Sequence, residues 1–125
     1  MASNTAHRYP VLGLAPKRVL VAGTISLKNG VPSILEGEGF TVADTATGKV
    51  TVTLSHWFAG CVALTATRHT DGTSPQDHFI EIQGKAMTDG ILSFVIANID
   101  TATFAEADAA NDADEQVSFT AWMRL

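Results

Sequence analysis

The 125-residue sequence has few charges, one cysteine and no long apolar run, and each shortage excludes a class of protein. Charged residues make up 17% of the chain and the net charge is −5, which argues against a general nucleic-acid binder. The single cysteine, Cys61, cannot form an internal disulfide, so a disulfide-stapled secreted scaffold is excluded. No run approaches the roughly 18 apolar residues of a membrane-spanning helix, and residues 1–5 are polar, unlike a signal peptide. We therefore expect a soluble, single-domain protein made in a cytoplasm, with no membrane partner.

Hydrophobic alternation is the main pattern that the sequence does contain. Residues 49–55 show it most clearly, because Val50, Val52 and Leu54 point to one side of an extended chain and polar residues point to the other. Seven such strands are expected, or eight if residues 11–14 also pair with a neighbour. They are residues 18–27, 34–42, 49–55, 61–68, 78–83, 91–98 and 117–124.

Turn signals separate the predicted strands at short and fairly even spacing. Asn29 and Gly30 form the strongest hairpin signal, and Thr-Gly or Asp-Gly pairs mark later turns at residues 47–48, 71–72 and 89–90. Many short strands with turns between them predict an all-β, antiparallel sandwich or barrel. The side chains expected in its core are Val50, Val52, Leu54, Val62, Leu64, Ile80, Ile82, Phe94, Phe119 and Met123.

Two segments break the alternating pattern. Residues 1–16 contain two prolines around a short apolar stretch, which predicts an extended N-terminal arm in front of a sandwich domain at residues 17–125. Residues 101–114 are rich in alanine and acidic residues but lack an apolar stripe. We therefore expect a long loop there, with one helical turn around residues 105–109.

Charge is distributed unevenly along the chain. Residues 1–50 carry five basic and three acidic side chains, a net charge of +2, whereas residues 100–125 carry six acidic side chains against Arg124, a net charge of −5. Segments of opposite sign favour contacts between neighbouring copies. Two solvated surfaces are the preferred interpretation, because exposed charges usually contribute little.

Two groups of residues invite a metal-site interpretation. His69, Asp71, Asp77 and His78 would come together if the strands on either side of them formed a hairpin, and imidazoles with a carboxylate suit zinc. An exposed polar loop is preferred, because no HExxH or CxxC spacing accompanies these residues.

Calcium is the hypothesis for the acidic residues 108–115, but Asp108, Asn111 and Asp112 do not match the EF-hand spacing. No metal and no cofactor is predicted.

Nucleophilic catalysis is not predicted either. Ser74, His78 and Asp71 are the residue types of a hydrolase triad, but no Gly-x-Ser-x-Gly motif surrounds any serine. Cys61 stands at the start of an apolar strand, which favours a buried, inert thiol. The chain is therefore expected not to be an enzyme.

Tryptophan and low charge point to self-association. In the last predicted strand Val117, Phe119, Ala121 and Met123 share the apolar face, which places Trp122 on the opposite one. A tryptophan facing away from the core covers a second layer or marks an interface. We expect a homotrimer, with contact residues Trp57, Trp122 and Leu125.

One hairpin supports a resemblance to known proteins. Residues 37–42 read Gly-Glu-Gly-Phe-Thr-Val and residues 47–54 read Thr-Gly-Lys-Val-Thr-Val-Thr-Leu. This hairpin resembles those of structural proteins of tailed bacteriophages, namely small jelly-roll head-decoration (cement) proteins and fibre tips. Related arrangements occur in C1q-like jelly rolls. Lys49 and Val50 depart from the pattern, because many such modules have an aromatic residue there.

The resemblance implies a fold, a function and partners. The fold is an antiparallel jelly-roll-like β-sandwich of seven or eight strands without catalytic residues. The function is that of a capsid decoration subunit, a homotrimer made in the host cytoplasm that binds the major capsid protein on the virion surface. The alternative is a fibre-tip or lectin-like module that binds a cell-surface glycan, and a third hypothesis is a small metal-dependent enzyme.

The N-terminal arm is the predicted capsid anchor. An extended arm can add its backbone to a sheet edge on the shell while its apolar side chains fill pockets. The alternatives are a disordered tail and an arm that only completes the trimer. The residues assigned to capsid binding are Arg8, Tyr9, Val11, Leu12 and Leu14.

Overall fold

The computed structural model describes residues 17–70, 78–108 and 115–125, which form eight β-strands. The predicted arm at residues 1–16 lies outside the described residues. No helix within the described ranges has the length and apolar character needed to cross a membrane. A short 3-10 helix, Lys28–Gly30, joins the first two strands. The strands are β1 (Arg18–Ser26), β2 (Ser33–Gly37), β3 (Phe40–Ala46), β4 (Lys49–Leu54), β5 (Gly60–Thr70), β6 (His78–Thr88), β7 (Ile91–Asp100) and β8 (Glu115–Arg124).

The strands form two antiparallel four-stranded sheets that pack against each other. The first sheet has the order β2-β1-β8-β5, and the second has the order β3-β4-β7-β6. The first and last strands are neighbours, with Arg18 opposite Arg124 and Ser26 opposite Gln116. In the second sheet, the two central strands β4 and β7 pair with each other. The predicted all-β, jelly-roll-like sandwich is confirmed.

The core lies between the sheets and is built from alternating side chains. In β4, Val50, Val52 and Leu54 are buried, as the alternation predicts. Phe119 of β8 contacts Phe40 at a ring-centroid distance of 4.8 Å and Phe94 at 5.5 Å, both edge to face. These aromatic contacts join the two sheets, because β8 belongs to the first sheet and the other two rings to the second.

Most of the predicted core is confirmed, and one residue is wrong. Val62 is 47% exposed, because a bulge interrupts β5: Cys61 lies opposite Met123 and Ala63 opposite Trp122, so Val62 is the extra residue. Cys61 is half-buried against the core instead. The predicted residues that are fully buried are Val50, Val52, Leu54, Phe94, Phe119 and Met123, and those that are half-buried are Leu64, Ile80 and Ile82.

The single strand predicted at residues 34–42 is wrong, because the chain changes sheets within it. Residues before the break belong to β2 in the first sheet, and residues after it belong to β3 in the second. Gly37 and Gly39 have φ values of 101° and 90°, which side chains other than glycine rarely adopt. This corner supplies the eighth strand.

The helical turn predicted around residues 105–109 is wrong for the part that the structure describes. Ala105 accepts a hydrogen bond from the Asp100 amide at 2.9 Å, and the Ala107 amide donates to Asn98 at 2.9 Å. Residues 105–107 therefore run antiparallel to the end of β7, and Glu106 bridges Ile99. These backbone hydrogen bonds to β7 outweigh the helix propensity of alanine.

Candidate interaction surfaces

Three of the four strands of the first sheet carry almost no charge on their outer face. Between the row of Arg18 and Arg124 at one end and His69 at the other, strands β1, β8 and β5 place no Asp, Glu, Lys or Arg side chain on this face. Because side chains alternate along each strand, the residues of this outer face form rows across the three strands. The rows are Leu20, Trp122 and Ala63, then Ala22, Thr120 and Thr65, then Thr24, Ser118 and Thr67.

The hydroxyl groups of this face bond to one another. Thr24 Oγ1 lies 2.9 Å from Ser118 Oγ, and Thr65 Oγ1 lies 2.7 Å from Thr120 Oγ1. His69 Nε2 lies 3.0 Å from the same Ser118 oxygen. Burying a polar group is costly when it loses its hydrogen bond. This face can therefore be covered by another protein without leaving these groups unpaired.

One end of the same face combines apolar and basic side chains. Leu20 and Trp122 are register partners and are 47% and 46% exposed. In the next row Arg18 lies directly opposite Arg124, an unfavourable placement of like charges. No carboxylate of the described part of the chain lies within 4.0 Å of either guanidinium. We call Arg18, Leu20, Trp122 and Arg124 the basic surface.

The three predicted contact residues lie at this end of the sandwich, in different settings. Trp122 faces away from the core, as predicted from the alternation, and no second layer of the described chain covers it. Leu125 is exposed, and its amide donates to Lys17 at 2.8 Å. Trp57 packs over the β6–β7 turn, where a Cβ on Gly90 would lie 2.0 Å from its ring. Their role in oligomer contacts stays a prediction.

A second apolar surface lies on the outer face of the second sheet, at the opposite end. Phe79, Ile99 and Glu106 form one cross-strand row. Phe104 packs against Phe79 with a ring-centroid distance of 6.3 Å and an interplanar angle of 64°. Phe104 is 76% exposed, and its φ of 56° is costly for a residue with a Cβ.

The loop that presents Phe104 is held by hydrogen bonds. Asp100 Oδ1 accepts from the Ala102 amide at 2.7 Å and the Thr103 amide at 3.2 Å. The Phe104 amide donates to the Asp100 carbonyl at 2.8 Å. Asn98 Nδ2 donates to Ala107 at 2.9 Å, which fixes the strand that follows. The ring of Phe104 is therefore held out from the sheet by an ordered backbone.

Two carboxylates share the outer face with this aromatic pair. Glu81 shares the outer face with Phe79, and Glu106 lies 4.0 Å from Lys49, the nearest base. Asp108 lies close by, where it accepts a hydrogen bond from the Gly48 amide at 2.7 Å. We call Phe79, Glu81, Phe104 and Glu106 the acidic surface.

The histidines of the alternative metal and catalytic interpretations lie on different sides of the sandwich. His69 bonds to Ser118 on the outer face, whereas His78 points into the sandwich, where its Nδ1 lies 3.9 Å from Glu115 Oε1. The hairpin that the zinc interpretation required does not form, because β5 pairs with β8 and β6 pairs with β7. Across residues 17–70, 78–108 and 115–125, no group of three or more His, Cys, Asp or Glu side chains is arranged to hold a metal ion. The other candidates, Asp71, Ser74, Asp77, Asn111 and Asp112, lie outside the described residues.

Sequence reasoning did not find the pairing of Arg18 with Arg124 or the contact of Phe79 with Phe104. Strand alternation places Arg18 on the same face as Leu20, and Arg124 on the same face as Trp122. The pairing of β1 with β8, which brings them together, has no local signal.

Comparison with models of protein families, with curated proteins and with solved structures gave no match.

Proposed function

We propose that the chain is a structural, non-catalytic subunit of a bacteriophage particle, a capsid decoration (cement) protein that works by binding other protein surfaces. The observation that carries this proposal is the outer face of the first sheet, where Trp122 and Leu20 are exposed beside hydroxyl groups that bond to one another. Tryptophan, arginine and few charges are typical of the centre of protein interfaces.

The same face is large enough for self-association. Strands β1, β8 and β5 lie about 4.8 Å apart and pair over nine or more positions of about 3.3 Å each, and the shorter β2 pairs at four, which gives a projected area of roughly 500 Å². A standard interface buries about 800 Å² on each partner. With the neighbouring loops included, the face is of interface size. It supports the homotrimer expected from the low charge of the chain.

The capsid role rests on the resemblance of the hairpin at residues 37–54 and on the jelly-roll-like fold. A cement protein joins several shell subunits through contacts that are weak singly and sufficient together, and a trimer supplies three copies of one site. The anchor is the N-terminal arm with Arg8, Tyr9, Val11 and Leu12, together with Leu14. The protein is then made in the host cytoplasm and lies on the virion surface, bound to the major capsid protein.

Cosedimentation with empty heads tests this function. The heads are assembled from the major capsid protein of the phage whose genome encodes the chain. The intact chain is expected to pellet with the heads and to raise their melting temperature. Deleting residues 2–14 is expected to abolish pelleting while the oligomer persists. Val31→Ser, which removes an exposed apolar side chain outside the face, is the control. Absence of pelleting by the intact chain overturns the capsid role.

Glycan binding is the second candidate function, and exposed aromatic rings favour it. Trp57 is 64% exposed at the end of the sandwich opposite Phe104, which is also solvent-exposed. Aromatic faces stack on sugar rings, because these present apolar C–H groups. A glycan array tests this candidate: binding that is lost in Trp57→Ala or Phe104→Ala supports a fibre-tip or lectin-like module, and an empty array removes it.

A further inference from the structure

We infer that copies of this chain associate head to tail, with the basic surface of one copy against the acidic surface of the next. This inference rests on the self-association proposed above and names the two surfaces that meet. Both surfaces are exposed, both contain aromatic rings, and their charges are opposite in sign. The occupant of the basic surface is therefore a second copy of the chain.

The basic surface needs an anionic partner. Arg18 and Arg124 are exposed and lie on neighbouring strands at one row of the sheet, which concentrates two positive charges at this end. Arg124 donates to the Ala59 carbonyl at 3.5 Å, but no carboxylate of the described chain neutralises either guanidinium, so covering Trp122 and Leu20 with an uncharged partner would desolvate two positive charges. Carboxylates from the partner remove both costs, because arginine binds carboxylates in a two-pronged geometry.

The acidic surface supplies carboxylates beside apolar rings. Glu106 lies 4.0 Å from Lys49, and Glu81 accepts a hydrogen bond from Gln83 at 2.9 Å. The strained backbone at Phe104 costs free energy in the isolated chain. Its contact with Phe79 leaves most of the Phe104 ring in solvent. A ring held in this way gains most of its apolar burial only when another molecule covers it.

The placement of the two surfaces makes the contact heterologous. Arg18 and Arg124 lie at the end of the sandwich where β1 begins and β8 ends. Phe104 follows the end of β7, at the other end and on the outer face of the other sheet. One copy cannot bring its own two surfaces together across strands about 30 Å long. Contacts between unlike surfaces form a ring when the rotation closes, which agrees with the proposed trimer.

Charge reversal tests the inference. One variant carries Arg18→Glu and Arg124→Glu, and a second carries Glu81→Lys and Glu106→Lys. Each is expected to raise the dissociation constant of the oligomer by at least about tenfold in sedimentation velocity runs, because like charges then meet. A chain with all four substitutions restores opposite charges and is expected to associate again.

Matched controls separate this contact from a general effect of charge. Lys28→Glu and Asp44→Lys reverse exposed charges outside both surfaces and are expected to leave association unchanged. Circular dichroism confirms that every variant keeps its β-sheet content. If both double variants associate like the unmodified chain, or the fourfold variant stays dissociated, head-to-tail contact is wrong while self-association stands. If the unmodified chain is a monomer, the proposed self-association itself fails.

Discussion

Arg68 of β5 and Glu115 of β8 form an ion pair inside the sandwich, where the Glu115 side chain has no solvent exposure. Both strands belong to the first sheet, and His78 of the second sheet lies 3.9 Å from the same carboxylate. Burial lowers the pKa of the Arg68 guanidinium from its ordinary value, because desolvation disfavours the charged form. Each buried charge is therefore stabilised by its partner.

Breaking this pair is expected to destabilise the fold strongly. Glu115→Leu or Arg68→Met leaves one buried charge without its partner, which costs about 3–5 kcal/mol. The double variant Arg68→Met with Glu115→Leu is expected to recover most of the loss, because no charge then remains. Urea unfolding measures all three, with Lys28→Met as the exposed control. Additive losses in the double variant would contradict the coupling.

Asn98 is expected to hold the strand that follows the Phe104 loop. The buried Asn98 side chain donates to the Ala107 carbonyl at 2.9 Å. Asn98→Ala removes this bond, which is expected to lower the free energy of unfolding by about 1–3 kcal/mol and to speed hydrogen exchange at the Ala107 amide. Gln83→Ala, at an amide that bonds only to Glu81 in the described chain, is the control. Unchanged exchange at Ala107 would show that other bonds hold this strand.

The strain at Phe104 predicts a difference between two substitutions. Ala and Gly both remove the ring, but only Gly adopts a φ near the observed 56° at no cost. Phe104→Gly is therefore expected to be more stable than Phe104→Ala by about 1 kcal/mol in thermal unfolding. At Thr88, in a regular strand, the same pair of substitutions is expected to give the reverse order. Equal stabilities at position 104 would argue against a strained backbone.

The bulge in β5 predicts opposite outcomes for two apolar residues. Val62→Ser is expected to change the free energy of unfolding by less than about 0.5 kcal/mol, because the side chain is exposed. Phe119→Ala is expected to cost about 3–5 kcal/mol, because Phe119 is almost fully buried between the sheets. A large loss of unfolding free energy in Val62→Ser would contradict the exposed position of this side chain.

The sequence was informative where structure follows a local period. Alternation identified β4 and β8 and the outward direction of Trp122, because a strand with one buried face has a period of two. It failed at Val62 and at Gly37, since a bulge or a corner changes the side on which later residues lie.

The residues of the two candidate surfaces come together through strand pairing, which hydrophobic alternation does not predict. Arg18 meets Arg124 because the first and last strands are neighbours. The Phe79–Phe104 contact depends on a loop whose alanines favour helix but whose backbone bonds to β7. Composition identified low charge and thereby predicted an interface, but it did not say which face would carry it.

Sedimentation equilibrium on the intact chain, beside Trp122→Ser and the control Val31→Ser, tests the central claim of a self-associating structural module most directly. The unmodified chain and the control are expected to show three times the 13.2 kDa mass of one copy at micromolar concentration. Trp122→Ser is expected to shift towards one copy, because it removes the largest exposed apolar side chain of the face. A single-copy mass for the unmodified chain at these concentrations would contradict the account.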